Sequence, residues 1–230
     1  MPKYYCYFYS MISSTEENYL KAIFKIAENE KDNASTNSIA KHLSTSPASV
    51  TDMLKKLSRK ELINYQKYKG VTLTQAGSKI ATKLIRRHRL WEVFLVNKLK
   101  FSWDKVHEIA EELEHIPYDE LINRLDIYLG QPKFDPHGDP IPNAAGKFTL
   151  RNQVLLSDLR ILETGIVIGV KEHDAPFLQY LTSLTIKLGT EVKLIDKIDF
   201  DQSMKVEIDQ KETIHLSNKV SNNLLIKLTR

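Results

Sequence analysis

The chain has 230 residues, with 33 Lys+Arg against 29 Asp+Glu for a formal net charge of +4, and is 42% hydrophobic and 27% charged. Such a balance is that of an ordinary globular protein and excludes collagen-like, disordered and disulfide-scaffold classes. Cys6 is the only cysteine, so neither an intramolecular disulfide nor a cysteine-based zinc site can form, and no apolar run reaches the roughly 18 residues of a membrane span. The net charge also hides a segregation: residues 1–100 carry a net +10, 101–150 a net −6, and 151–230 a net of zero. A basic first third beside an acidic middle suits a polyanion-binding module joined to a cation-binding one.

Residues 1–13, with five aromatics among positions 4–9, read as an extension without a small-residue cleavage site; Met1 and Met11 are alternative starts. Ser14-Thr15-Glu16-Glu17 reads as a capping box, with Ser14 as N-cap and Glu17 three residues in. The helix it starts runs to about Asn29, and Ser35 or Thr36 caps a short helix holding Ile39, Ala40 and Leu43. After a Ser44-Thr45-Ser46 turn, Pro47 suits the first turn of a helix that buries Val50, Met53, Leu54 and Leu57. Leu62–Tyr65 and Val71–Thr74 read as strands around a hairpin tip ending in Gly70. Helix, helix, turn, helix and hairpin make residues 14–75 a winged helix-turn-helix.

Residues 76–130 read as three helices: a long one from Thr74 or Ser78 to about Lys98, one over Ser102–His115, and one from Pro117 to Leu129. Residues 130–147 hold four of the eight prolines and three of the eight glycines, so 131–150 is expected to be a linker or an extended crossing segment. From 151 to 230, β-rich runs with one helix near Pro176–Leu184 suggest a small closed SH3-like β-barrel. The expected fold class is mainly α with a β-rich C-terminal part.

Two sets of residues carry chemistry. In a helix-turn-helix the second helix presents its N-terminal residues to base edges, here Ser46, Pro47, Ser49, Thr51 and Asp52. Lys55, Lys56, Arg59 and Lys60 would meet phosphates, with Lys67 and Lys69 on the wing. The bland alternative is a solvated helix face. His107, Glu111, Glu114 and His115, at i, i+4, i+7 and i+8, share one helix face, and His88 and Glu92 form another i, i+4 pair. Two helices each offering imidazole and carboxylate resemble the way helical proteins build metal sites. Nitrogen and oxygen donors without thiolate suit Mn(II) or Fe(II), with Zn(II) or Co(II) accommodated in vitro. A structural His/Glu stripe in a regulator that answers to a small organic ligand, and a helical metal-dependent hydrolase, are the alternatives; no nucleophile elbow, phosphate loop or Gly-rich fingerprint accompanies the latter.

These residues, taken together, resemble the diphtheria toxin repressor family of metal-dependent transcriptional regulators. The resemblance is carried by TEENYLKAIF (15–24), SPASVTDMLKKL (46–57), GVTLTQAGSKIA (70–81), RRHRLWEVFL (86–95), KVHEIAEELEH (105–115), DPHGDPIP (135–142) and the β-rich tail. It implies a cytoplasmic homodimer, loaded with metal as corepressor, that binds a palindromic operator in double-stranded DNA and represses metal-uptake genes, with no membrane and no organic cofactor involved. By position, it implies a primary metal site at Asn18, Glu111, Glu114 and His115 and an ancillary one at His88, Glu92 and His107. Glu111 stands where iron-type members carry a cysteine and manganese-type members a glutamate, which favours manganese. Asn18 replaces the usual methionine or aspartate, and Lys21 stands where manganese-type members place a second glutamate, so a close two-manganese cluster is not expected. Glu172, His173 and Asp174 are candidates for an ancillary ligand from the β-rich part. Trp91, Phe94, Leu95 and Ile109 are candidates for the dimer contact, with ordinary intrachain core as the alternative for each.

Overall fold

The computed structural model describes residues 12–29, 34–66 and 70–229. Lys67 and Lys69, and the aromatic stretch before position 12, lie outside the described residues. The chain forms two compact units, one of residues up to Arg87 together with 144–146, the other of 88–143 together with 147–230.

The first unit holds α1 (Ser14–Asn29), α2 (Thr36–His42), α3 (Pro47–Arg59), the strands β1 (Ile63–Gln66) and β2 (Gly70–Leu73), and the first part of α4 (Gln75–Asn97). The capping box of α1 sits one residue earlier than expected. Ser13 N–H donates to Glu16 at 2.9 Å and Glu16 N–H to the Ser13 hydroxyl at 3.3 Å. The reason is tertiary: Lys60, at 2.7 Å, and Lys56, at 3.4 Å, draw the Glu16 carboxylate inward. Glu17 instead faces Arg87 at 3.5 Å. Ser35 caps α2 in a reciprocal pair with Ser38, and Ser46 caps α3 by accepting from Ser49 N–H at 3.1 Å, with Pro47 in the first turn. β1 and β2 pair antiparallel with Ile63 opposite Leu73. Leu20, Ile23, Ile39, Val50, Leu54 and Leu57 pack into one core with Val71, while Met53 is only half-buried.

Burial pushes the Glu16 carboxyl up, but Lys60, the Ser13 N–H and Lys56 outweigh this and hold it below its usual 4.5. A group whose folded value is depressed adds stability above its unfolded value, which is lost as pH falls through the folded one. Glu16→Gln is therefore expected to cost this unit about 2 kcal/mol at pH 7, and progressively less as pH falls below the usual carboxylate range. Urea denaturation at pH 7 and at successively lower pH checks both the size and its loss.

In the second unit α4 continues beside α5 (Val106–Leu113) and α6 (Asp119–Tyr128), with Leu90, Val93, Ile122, Leu125 and Ile141 buried between them. α5 starts four residues later than expected. Trp103 Nε1–H donates to the Thr182 hydroxyl at 3.0 Å and Gln179 donates to Asp104 at 2.9 Å, so the preceding residues are held as a loop. The Pro/Gly-rich segment crosses the unit as packed chain rather than a free linker: Asp135, His137 and Ile141 are all buried. Asp135 Oδ1 accepts the backbone N–H groups of His137 and Asp139, and Arg89 pairs with Asp139 at 2.7 Å.

The C-terminal part is a six-stranded antiparallel sheet in the order β3-β8-β4-β5-β6-β7. Its strands are β3 (Val154–Leu155), β4 (Thr164–Val170), β5 (Glu191–Lys197), β6 (Met204–Ile208), β7 (Glu212–Leu216) and β8 (Leu224–Leu228). The expected closed barrel is not formed: among the described residues β3 pairs only with β8 and β7 only with β6, so the sheet stays open. Closure needs end strands that can bond along their length, and β3 has two residues. Helical pieces cover the inner face instead. Leu178 and Leu181 of α7 (Ala175–Ser183), Leu156 of a short turn, and Val220 of α8 (Asn218–Ser221) join Val192, Leu194 and Ile226 in the core. No described helix is long and apolar enough to cross a membrane.

Candidate metal centre and reading helix

His88 and Glu92 project from successive turns of α4, and His107, Glu111 and the C-cap residue Glu114 come from α5. Packing of the two helices brings them together. His88 Nδ1 lies 2.6 Å from Glu114 Oε2, and His88 Nε2 lies 3.0 Å from Glu92 Oε1 and 3.1 Å from His107 Nδ1. His107 Nε2 and His88 Nδ1 lie 3.6 and 3.9 Å from Glu111 Oε1. Glu114 is wholly buried and Glu92 is 2% exposed. Carboxylates so far from water need hydrogen-bonded partners or a cation.

A third part of the site comes from the crossing segment, and the sequence reading does not include it. His137 Nε2–H donates to the Trp103 carbonyl at 2.9 Å, which leaves Nδ1 as the atom with a lone pair. That buried Nδ1 has no hydrogen-bond partner among the described residues and faces Glu92 Oε2 at 3.7 Å. Fixing a histidine through one nitrogen so that the other is presented is how proteins orient metal-ligating imidazoles. The two oxygens of Glu92 thus serve different sides, Oε1 toward His88 and His107, Oε2 toward His137. Three sets of donors, His88/Glu92/His107, His88/Glu111/Glu114 and Glu92/Asp135/His137, each lie within 4.8 Å of one another.

The electrostatics agree. Burial alone would push the Glu92 carboxyl up, but His88, His107 and His137 hold it well below the usual range. Burial, with Glu92 and Asp139 adding to it, pushes Asp135 up to about 7 against Arg89 and His137. Burial disfavours a charged His137, yet Glu92 and Asp135 raise it to about 9. The pocket attracts positive charge at this ring, and a metal ion competes with a proton for it. The donor set is nitrogen and oxygen only, which fits Mn(II) or Fe(II) and accommodates Zn(II).

The other candidates fall as follows. His115 lies outside the three sets, its Nε2 3.8 Å from Glu114 Oε1. The His173 ring stacks on His137 at 4.8 Å, whereas Glu172 and Asp174 belong to none of the sets. Asn18, on α1 of the first unit, has a buried Oδ1 without a hydrogen-bond partner among the described residues. Leu95 is buried within its own chain, while Trp91 and Phe94 meet edge to face at 5.8 Å and, like Ile109, stay half-buried.

On α3, Ser46, Pro47, Ser49, Asp52, Lys55 and Lys56 are exposed and Thr51 is half-buried. Ser46 is engaged as the cap, and Thr51 donates to the Pro47 carbonyl at 2.9 Å. Lys55 pairs with Asp52 at 3.1 Å, and Lys60 is committed to Glu16. Lys56 is exposed but faces Glu16 at 3.4 Å, and the Ser49 hydroxyl shares a hydrogen bond with that of Ser46 at 2.9 Å.

Three family models match in order: the iron-dependent repressor N-terminal DNA-binding domain over residues 11–71, its metal-binding and dimerisation domain over 74–143, and the FeoA domain over 154–228. The HTH-type transcriptional regulator MntR of Bacillus subtilis (strain 168) is 37% identical over 105 residues, 46% of this chain and 72% of that protein. The diphtheria toxin repressor of Corynebacterium jeikeium (strain K411) is 33% identical over 128 residues, 56% of this chain and 53% of that protein. A solved structure of a manganese-dependent transcriptional repressor in complex with manganese is 34% identical, with a TM-score of 0.86, covering 93% of this chain and all of that one. With a winged reading head, buried histidine–carboxylate donors and these likenesses combined, the chain belongs to the diphtheria toxin repressor family of metal-dependent transcriptional regulators.

Proposed function

We propose that this protein is a cytoplasmic homodimer that binds a palindromic operator when Mn(II) or Fe(II) is bound, and so represses genes of metal uptake. Residues 14–75 read DNA, 76–130 bind metal and dimerise, 131–150 cross between the parts, and 151–230 form an accessory domain. The observation that carries this reading is the pair of buried carboxylates, Glu92 and Glu114, set among His88, His107 and His137. A bound divalent ion supplies the charge that such a cluster needs. Donors to it would come from His88 and Glu92 of α4, from His107, Glu111 and Glu114 of α5, and from His137 of the crossing segment, which Asp135 positions through the His137 backbone N–H. Glu111, an oxygen donor, favours manganese. Family membership removes the hydrolase alternative, because the models matched over residues 11–71 and 74–143 are those of iron-dependent repressors.

An ion can shift DNA affinity only by binding the two arrangements of the protein differently, and such coupling is typically about 1–3 kcal/mol. Equilibrium dialysis of the full chain against Mn(II), Fe(II) under reducing conditions, and Zn(II) tests the site directly: bound metal should fall in His88→Ala and be unchanged in Lys79→Ala. Retention of full metal binding in His88→Ala overturns the site. Asn18→Ala, which tests the oxygen that the family resemblance assigns to α1, is expected to weaken metal-dependent DNA binding about tenfold without unfolding the chain. For the reading helix, Lys55→Ala should make the salt dependence of DNA binding shallower by about 0.9, the slope that one neutralised phosphate supplies.

A further inference from the structure

Beside the metal centre lies a cavity of about 720 Å³ that metal binding does not use. Its size falls in the range of about 300–1,000 Å³ that small-molecule sites occupy. It opens between the C-terminal end of α4, the loop holding Trp103, the crossing segment, and the chain that follows α7. Among its lining residues Val93, Ile186 and Asp135 are buried, whereas Lys187 is exposed. Trp103 and Phe134 line the walls.

The polar groups decide what fits. Asp135 offers nothing to a ligand: its Oδ1 accepts two backbone N–H groups and its Oδ2 faces Arg89 Nε at 3.5 Å. The Thr182 hydroxyl is used twice, accepting from Trp103 and donating to the Leu178 carbonyl. The buried part of the lining is therefore apolar in effect; Asn97, Ser102 and Thr185 add neutral polar groups, and of the two charged lining residues, Asp135 and Lys187, the exposed Lys187 ammonium is the one open to a ligand. We propose that this cavity binds a small, planar, mostly apolar organic molecule carrying one anionic group, with its rings between Trp103 and Phe134 and its anion on Lys187.

Occupancy of the cavity acts on the metal centre through two residues that serve both. The Trp103 carbonyl accepts the His137 Nε2–H and its ring stacks on the His137 ring at 6.1 Å, while Asp135 holds the His137 backbone N–H at 2.8 Å. A ligand that immobilises Trp103 and the crossing segment presents His137 ready-oriented, so ligand and ion should each tighten the other by the same factor. This coupling rests on the metal reading above; binding of the organic molecule does not.

Anilinonaphthalene sulfonate, which has fused rings and one anion, is a suitable probe for the full-length protein. Its fluorescence should rise saturably with one dye per chain in the absence of metal. Lys187→Glu, at an exposed position, should weaken the dye about tenfold, and Val96→Phe, which fills the cavity, should weaken it further. Mn(II) should tighten dye binding at least about fivefold in the wild type. Absence of saturable binding, or equal binding in wild type and both variants, overturns the site. Dye binding that follows the variants but ignores Mn(II), in protein shown by dialysis to bind it, overturns the coupling and leaves the metal reading intact.

Discussion

Glu114→Ala is expected to bring DNA affinity in Mn(II) down to that in chelator, a loss of about 5–150-fold, while leaving the fold in place. Glu114 is the most completely buried acid of the cluster, and its Oε2 lies 2.6 Å from His88 Nδ1. Removing it takes a ligand from the ion and also the partner that orients His88, which serves two of the three donor sets. Loss of an orienting partner alone typically costs 10–100-fold in metal affinity. The metal-free protein should lose little stability, because the substitution removes one anion from a site crowded with Glu92, Glu111 and Asp135. Circular dichroism against temperature, with and without Mn(II), separates the two effects. Mn(II) at 100 times its dissociation constant should stabilise the wild type by about 2.7 kcal/mol and Glu114→Ala by close to nothing.

Gly138→Ala should damage the same site by a different route. Gly138 has φ +91°, and a Cβ there would lie 2.2 Å from the Ile168 carbonyl oxygen and 2.4 Å from Gly169 Cα. Both obstacles are backbone of β4, and the neighbouring His137 carbonyl accepts the Val170 N–H at 2.9 Å, so the segment is pinned where the methyl group must go. The conformation alone costs about 1 kcal/mol for a residue with a side chain. With the clash added, a loss of about 3–5 kcal/mol is expected. Asp135 and His137 move with the backbone, so metal affinity should fall together with stability. His137→Ala is the contrast: it should weaken metal binding at a smaller cost in urea stability, about 1–3 kcal/mol, since it leaves the Trp103 carbonyl without the Nε2–H it accepts but introduces no backbone clash. Wild-type stability and metal binding in Gly138→Ala would show that the segment positions nothing.

What is legible in the sequence is whatever depends on near neighbours. Ser35 and Ser46 announce their helices because a cap needs only the next three residues, and Pro47 marks the start of α3 for the same reason. His88 with Glu92, and His107 with Glu111, are readable because four residues return a helix to the same face. Long-range interactions account for the differences. The cap of α1 lies one residue early because Lys60, 44 positions away, decides which glutamate turns inward. α5 is shorter than its pattern suggests because Thr182 and Gln179, from the far end of the chain, hold Trp103 and Asp104 in a loop. His137 carries no local signal because a histidine in a Pro/Gly-rich stretch has no helical periodicity, and its partners Trp103 and Glu92 lie 34 and 45 positions upstream. The open sheet departs from the expected barrel because β3 ends after two residues, which strand pattern does not reveal.

The switch itself is tested most directly by fluorescence anisotropy of a labelled palindromic duplex, titrated with full-length protein at one ionic strength, in chelator and then in Mn(II). If the buried histidine–carboxylate cluster controls the reading head, affinity in Mn(II) exceeds that in chelator by about 5–150-fold, and Glu114→Ala abolishes the difference. Equal affinity in chelator and in metal would contradict it.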